Sequence, residues 1–454
     1  MFATLRIDRR PLAAALVLLG LIAWGCGGEP STAPDLARSS GTGAKGPIVK
    51  STVPSSAPRG TTLTVRVLGS EFVQGSRAVW ALNGDTTFAT TRIRTNTTTF
   101  VSSTELAANI TISADAALDL FDVVVVTLSG KKGIGIELFT VTLQIVDLGV
   151  GDGSTAQAIN DNNQIVGRGG SGSGAFLWQA GVVTDLGALP GNSAQAMDIN
   201  ASGRVAGTSS NAAGSRAVLW TPKVGGGYNP PVDLGTLGGS RSEATAINDN
   251  GVIAGDSRLP GDAVSHAVIW DANGQIHDIH TVQGGESFAF GINSLGQVVG
   301  QWNGPTNQQA FRYTPGTGME LLPGIGGPQG VAIDISSTGK VVGWSEPAPG
   351  AALRATLWEG STVTDLGTLG GLSSVGAAIN GDGWVVGRSD TGVRRSGALQ
   401  HVGFLWTATE GMQSIGLSPG LDYAQAWGIN ANGWIVGESW AARGINHATL
   451  WRFQ

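Results

Sequence analysis

The sequence is poor in charge, in aromatic side chains and in cysteine. Charged residues make up 13% of its 454 positions, against about 25% in an ordinary soluble domain. The 27 Lys and Arg against 33 Asp and Glu leave a net charge of -6, so no basic excess offers nucleic acid a footprint. A single cysteine, Cys26, excludes an intrachain disulfide and a cysteine-rich metal site. The chain has no phosphate-binding glycine loop, no dinucleotide fingerprint and no Gly-x-Ser-x-Gly elbow leading into a helix. What it does have is glycine, 71 residues, far above the usual share of about 7%. Hydrophobic residues at 41% suffice for a core and exclude wholesale disorder. Many turn signals and few helix formers predict an all-β chain, and the length fits about three folded units.

Arg6, Arg9 and Arg10 precede an apolar run from Leu12 to Trp24. A run this short falls below the roughly 20 residues of a comfortable membrane span and reads as a secretory signal peptide, residues 1–25. It stops at Gly25-Cys26-Gly27-Gly28. A small residue before the only cysteine, directly after the apolar run, resembles a bacterial lipoprotein signal. That resemblance implies acylation of Cys26, removal of residues 1–25, and a protein held to the outer membrane or cell surface by its N-terminal lipid. Ordinary cleavage nearby, with an incidental cysteine, is the alternative. Residues 26–47, rich in Gly, Ser, Thr, Pro and Ala, read as a flexible tether.

Residues 48–142 carry short strand signals separated by turns. Pro54-Ser-Ser-Ala-Pro-Arg-Gly60 is a turn cluster, and Thr62-Leu-Thr-Val-Arg-Val67 alternates with period two, as a half-buried strand does. Gly69-Ser-Glu-Phe72, Val79-Trp80, Asn83-Gly84, Phe100-Val-Ser-Ser-Thr-Glu-Leu106 and Val123-Val-Val-Val126 continue at the same spacing, which suggests a β-sandwich. The order of these pieces resembles the IPT/TIG family of immunoglobulin-like domains, whose members serve as spacers or binding modules.

Residues 143–454 repeat. Ile-Asn recurs at Ile159-Asn160, Ile199-Asn200, Ile247-Asn248, Ile292-Asn293, Ile379-Asn380 and Ile429-Asn430, with Ile335-Ser336 as a degenerate copy. From the first to the seventh copy is 270 residues, a mean period of 45, which signals a propeller, a solenoid or an array. Each copy holds four strand signals: one ending at Ile-Asn, a Val-Val-Gly piece, Ala-apolar-Leu-Trp, and a Val-Thr-Asp-Leu-Gly piece. Four strands in 45 residues is one propeller blade. At the front, Leu143–Gly149 is a fourth-strand piece with no blade of its own; at the back, Ala448-Thr-Leu-Trp451 has no fourth strand after it. A ring needs this arrangement, because the front strand then covers the open edge of the last blade, whereas a solenoid carries polar caps instead. The expectation is an all-β chain: an Ig-like β-sandwich followed by a seven-bladed β-propeller whose N-terminal strand closes the last blade. Asp233-Leu-Gly-Thr-Leu-Gly-Gly239 with Ala246-Ile-Asn-Asp-Asn-Gly251, His266-Ala-Val-Ile-Trp270, and Asp365-Leu-Gly-Thr-Leu-Gly-Gly371 resemble the HAF family of bacterial extracellular repeats. The fourth and fifth copies lack Asp-Leu-Gly. The likeness implies secretion and a repeat scaffold, with no settled activity.

Candidate chemistry is sparse. Asn160-Asp-Asn-Asn, Asn248-Asp-Asn-Gly and Asn380-Gly-Asp-Gly resemble calcium loops in oxygen content. They lack a downstream bidentate Glu, and the favoured reading is hairpin turns. Asp147, Asp185, Asp233 and Asp365 share one repeat position and point to different places around a ring, whereas a catalytic pair must converge. His266 and His447 share the slot before the third strand, and His277 and His280 stand three apart, on opposite sides of a strand. Gly255-Asp256-Ser257, Gly343-Trp-Ser345 and Gly437-Glu-Ser439 align with one another, so the repeat accounts for them. No metal or cofactor is expected.

The aromatic residues break the repeat. Of 14 tryptophans, Trp178, Trp220, Trp270, Trp358, Trp406 and Trp451 mark the third strand, where Tyr313 takes the slot once. Trp302, Trp344, Trp384, Trp427, Trp434 and Trp440 are off-pattern, all in copies four to seven, with Phe288, Phe290 and Tyr423 beside them. Trp302, Trp344 and Trp440 follow the second strand, where loops leave the blade; they are the candidate ligand-binding residues, able to stack on sugars or apolar groups. Extra packing or a subunit contact is the alternative. The expected function is non-catalytic binding, adhesion or scaffolding at the cell surface, with glycans or envelope proteins as partners. The competing reading is a secreted polysaccharide-acting hydrolase or lyase at the channel mouth, which convergent carboxylates from different blades would favour.

Overall fold

The computed structural model describes residues 46–82, 92–114, 116–170, 174–191, 193–211, 214–395, 397–417, 420–442 and 444–453. The signal segment, Cys26 and all but the last two tether residues lie outside the described residues. Every element is a β-strand, and the strands form nine four-stranded sheets.

Two of these sheets come from residues 48–142. β1 (Ile48–Val53), β3 (Thr62–Ser70), β6 (Glu105–Ile112) and β5 (Ile93–Ser102) form one, in the order β1-β3-β6-β5; β2 (Ser56–Pro58), β8 (Lys132–Thr142), β7 (Leu120–Val126) and β4 (Arg77–Leu82) form the other, in the order β2-β8-β7-β4. Alternating apolar positions of β3, β6, β7 and β8, from Val65 to Val141, share one core with Trp80. The Phe100–Leu106 piece is a hairpin corner rather than one strand, because Ser103 and Thr104 turn the chain between β5 and β6.

The other seven sheets repeat one plan. In the first, β10 (Thr155–Ile159), β11 (Ile165–Arg168), β12 (Ala175–Gln179) and β13 (Val182–Asp185) are antiparallel neighbours in sequence order. The inner strands of sheets two to seven are Ser193–Ile199, Ser242–Ile247, Glu286–Ile292, Gly330–Ile335, Ser374–Ile379 and Tyr423–Ile429. The seventh sheet takes its outermost strand from β9 (Gln144–Asp147), with Ile145 opposite Trp451 and Val146 opposite Leu450. Each inner strand touches the next, and the seventh touches the first. This circle of radially stacked four-stranded sheets places residues 144–453 in the β-propeller class. Where Asp-Leu-Gly is lost, the outer strands Ile276–Asp278 and Gly318–Leu321 still form.

Local chemistry explains the plan. Every inner strand carries a bulge three residues before its terminal Asn or Ser, which bends the strand and increases its twist. The glycine of Val-Val-Gly is required at the same level: a Cβ on Gly167, Gly255 or Gly343 would overlap an inner-strand carbonyl oxygen. Third-strand tryptophans staple sheet to sheet, as Nε1 of Trp220, Trp270 and Trp358 donates to the carbonyls of Gly187, Leu234 and Pro323 on the preceding sheet at 3.2, 2.8 and 2.7 Å.

The inner turns do more than reverse the chain. Asn160 Oδ1 accepts from the backbone of Asn162 and Gln164, while its Nδ2 donates to the carbonyl of Asn200 in the next sheet at 2.9 Å. Asn200, Asn248, Asn293 and Asn380 likewise donate to Asn248, Asn293, Ser336 and Asn430. Asn430 completes the circuit on Asn160 at 3.0 Å. Six links therefore ring the molecule. The seventh place belongs to Ser336, whose hydroxyl meets Thr338 and the backbone of Lys340 within its own turn.

The sandwich rests against sheets six and seven. Its core is continuous with Val386, Leu405, Ile415, Ala424 and Trp451 of the ring, and Trp384, Leu417 and Phe453 pack on it. Arg59 lies over the Phe453 ring at 5.5 Å, and Trp384 meets the same ring edge-on at 6.0 Å.

Candidate functional site

The residue after the glycine of the second strand is where the repeats differ most. Around the ring this slot holds Arg168, Thr208, Asp256, Gln301, Trp344, Arg388 and Glu438. Each stands opposite an inner-strand residue: Thr155, Gln195, Glu243, Phe288, Val331, Val375 and Gln425. The backbone is one design repeated seven times, so differences in these fourteen side chains set the chemistry of the wall.

At sheets six, seven and one the wall is polar. Glu438 is 1% exposed. Its Oε1 accepts from Gln425 Nε2 and from Trp427 Nε1 at 3.4 Å; its Oε2 accepts from Thr155 Oγ1 at 2.9 Å and from Asn446 Nδ2. Four donors hold this carboxylate as an anchor between the last sheet and the first. Arg388 lies within electrostatic reach of both Glu438 and Asp390. Burial lowers the pKa of its guanidinium, and the two carboxylates oppose that shift. Among the described residues, the Arg388 side chain makes no hydrogen bond or ion pair. Burial also raises the Asp390 carboxyl, against the pull of Arg388. Gln425 Oε1 is buried and receives no donor.

Three rings stand beside this group. Trp440 stacks on Tyr423 with centroids 5.6 Å apart and planes 18° apart, and His401 contacts both, at 5.2 and 5.1 Å. Burial, with Arg388 nearby, lowers the His401 pKa to about 4, so the imidazole is neutral at pH 7. Above them rises the long hairpin of sheet six, Val385–Arg395 and Ala398–Thr407, which Tyr423 pins by donating its hydroxyl to the Arg395 carbonyl at 3.2 Å. Trp427 links this group to the central cavity of about 80 Å³, which it lines with Gln157, Asp198, Ile292 and Asp334. Asp198 and Asp334 are tied there, accepting from Ile247 N and Ile379 N of the following sheets.

At sheets four and five three of the four slots are apolar: Phe288, Val331 and Trp344 cluster with Phe290 and Ile333, and the buried Gln301 is the polar exception.

The three candidate tryptophans sit apart, with no ring contact among them. Trp344 is 4% exposed inside the apolar cluster, which leaves little ring surface for a ligand. Trp302 is half-buried, donates to the Gly284 carbonyl at 2.9 Å and packs with sheets three and four. Trp440 joins Tyr423 and His401. Trp384 and Trp434 lie near the inner turns, the first against Phe453 and the second under Arg452 at 4.9 Å.

Other motifs prove structural. Asp147, Asp185, Asp233 and Asp365 each accept from the glycine amide two residues on, at 2.8 Å. His277 and His280 do not meet. Instead His266 stacks on His280 at 4.1 Å and bonds Asp278 at 2.7 Å. His447 pairs with Asp147 at the equivalent place. Among the described residues no cluster of three His, Cys, Asp or Glu is arranged to hold a metal ion. Arg388, Gln425 and Glu438 escape sequence reasoning, although the signal was present: one variable residue after a constant glycine, seven times over.

No protein-family model matches the chain, and no curated protein is similar to it. Among solved structures, similar chains include a DUF4784 family protein from Bacteroides caccae (10% identity, 69% of this chain and 94% of that one, TM-score 0.29). A protein described as TolB from Agrobacterium tumefaciens covers 69% and 98% at 13% identity, TM-score 0.38. TolB from Acinetobacter baumannii covers 64% and 58% at 12% identity, TM-score 0.33. Scores this low carry no argument, so the propeller class rests on the circle of sheets itself.

Proposed function

We propose that this chain is a secreted, non-catalytic binding protein: a seven-bladed β-propeller of HAF-type repeats that recognises glycans, carried on an IPT/TIG-like Ig sandwich. Residues 26–47 tether it to the cell envelope through a lipid on Cys26. The ligand surface is the mouth of the ring at blades six, seven and one, with Trp440 as its stacking ring. Tyr423 and His401 hold Trp440 in place, and the long hairpin of blade six forms one wall. Trp302, packed with blades three and four, and Trp344, interior to blades four and five, lie outside this surface.

The observation that carries the proposal is the Trp440–Tyr423–His401 group beside half-satisfied polar side chains, the pairing of flat apolar rings and convergent polar groups that sugar rings require. The carboxylates weigh against hydrolysis. Glu438 is bound by four donors and nearly inaccessible, so it is unavailable to accept or deliver a proton at a substrate. The test is a polysaccharide panel probed with wild type and Trp440→Ala. Binding by wild type, weakened at least tenfold in the variant at an unchanged melting temperature, supports the reading; no binding across the panel, or an unaffected variant, overturns it.

A further inference from the structure

Resting on that reading, we infer that the glycan is acidic, and that Arg388 takes the carboxylate of a uronic acid unit. The argument is an accounting of hydrogen bonds. Arg388 stands in the slot after Gly387, with Val375 opposite on the inner strand and Gly403 opposite on the third strand. Neither neighbour offers a side-chain acceptor, and the space beside Gly403 is taken by the Ile415 side chain. A guanidinium has five N–H donors in a planar fork that fits a carboxylate edge-on. Here the side chain is partly exposed and, among the described residues, has no acceptor, although two carboxylates lie near enough to feel it.

Those carboxylates are committed elsewhere. Glu438 spends both oxygens on Gln425, Trp427, Thr155 and Asn446. Asp390 accepts from the backbone of Ser373, and no ion pair of 4 Å or less joins it to Arg388. They stabilise the positive charge at a distance without filling its donors, which leaves the fork for an incoming acceptor. The carboxylate of a uronate unit supplies the missing acceptor. The Trp440 face supplies the stacking surface. At the equivalent slot of sheet one, Arg168 Nη2 bonds the Gly153 carbonyl at 3.5 Å, so Arg388 is the arginine of this slot whose guanidinium is left open.

The experiment compares each acidic polysaccharide with its own neutral derivative: polygalacturonate against its methyl ester, and alginate against its carboxyl-reduced form. Wild type is expected to bind at least one acidic form tenfold or more tighter than its neutral partner, with the preference shrinking as salt rises. Arg388→Gln should abolish the preference while retaining weak binding to both forms, and Trp440→Ala should weaken both forms alike. Equal binding of acid and neutral forms by wild type overturns the acidic-ligand inference and leaves glycan recognition standing; this arm requires no variant to fold. Retention of the preference in a folded Arg388→Gln also overturns it. Binding of neutral polysaccharides alone does the same, and absence of binding throughout removes the underlying reading as well.

Discussion

Sheets four and five on one side of the ring, and sheets seven and one on the other, answer the same backbone with opposite chemistry. On the first side Phe288, Phe290, Val331, Ile333 and Trp344 close the wall by packing. On the second side Thr155, Gln425 and Glu438 close it by hydrogen bonds, and Arg388 is left with donors to spare. The contrast teaches that in this repeat the frame and the lining are independent. Constant glycines, bulges and turn asparagines hold the frame, so one side can spend its lining on stability and the other on recognition.

The largest effect that would break this comparison is expected at Trp344. Its indole fills the apolar side, and Trp344→Ala should cost about 4 kcal/mol, read from denaturant unfolding, while a folded fraction retains the ligand profile of wild type. If Trp344→Ala instead stays stable and loses binding, the division of labour between the two sides is wrong.

The next effect belongs to the polar side and depends on pH. The His401 pKa is depressed in the folded protein to about 4, below an unfolded value of about 6.5. The neutral form is therefore the one folding favours. Its contribution is complete above about pH 6.5 and disappears as pH falls toward 4, up to about 3 kcal/mol in all. Chemical denaturation between pH 7 and pH 4 should show this loss, and His401→Phe should flatten that part of the curve. An unchanged slope in the variant would show that His401 is not the responsible group.

The smallest effect concerns the frame. Ser336 interrupts the circuit of turn amides, leaving the Asn380 carbonyl without the side-chain donor that its six counterparts receive. Ser336→Asn should complete the circuit and stabilise the ring by about 1 kcal/mol. Asn430→Ala, which removes the link across the chain's closure, should destabilise it by a similar or larger amount. Thermal melts of the two variants should move in opposite directions; movement in the same direction would deny the amide circuit its role.

Much of the frame was legible in the sequence. Ile-Asn, Val-Val-Gly and Ala-apolar-Leu-Trp recur because each serves one stereochemical need, and such needs leave a periodic trace. The surplus strand at Gln144–Asp147 was legible for the same reason, as a repeat piece without its partners. Asn160 and its counterparts were read only as turn formers. Their second role, donating to the next sheet, joins residues 40 to 50 positions apart and has no local signature. The site was less legible. Off-pattern tryptophans proved to have unlike surroundings: Trp344 is interior, Trp384 meets Phe453, and Trp440 stacks on Tyr423. Their positions in the sequence do not sort them; only their surroundings do.

The sequence by itself determined the all-β class, the seven repeats of four strands and the place where the first and last strands of the ring meet, because glycine conformation, turn chemistry and strand alternation act within a few residues. Only the tertiary structure decided which repeats became neighbours of Glu438, which off-pattern tryptophan was buried in an apolar cluster, and why Arg388 has donors left over. Those outcomes depend on how many hydrogen-bond partners and how much apolar cover arrive from other sheets, a sum that closes only when the ring does.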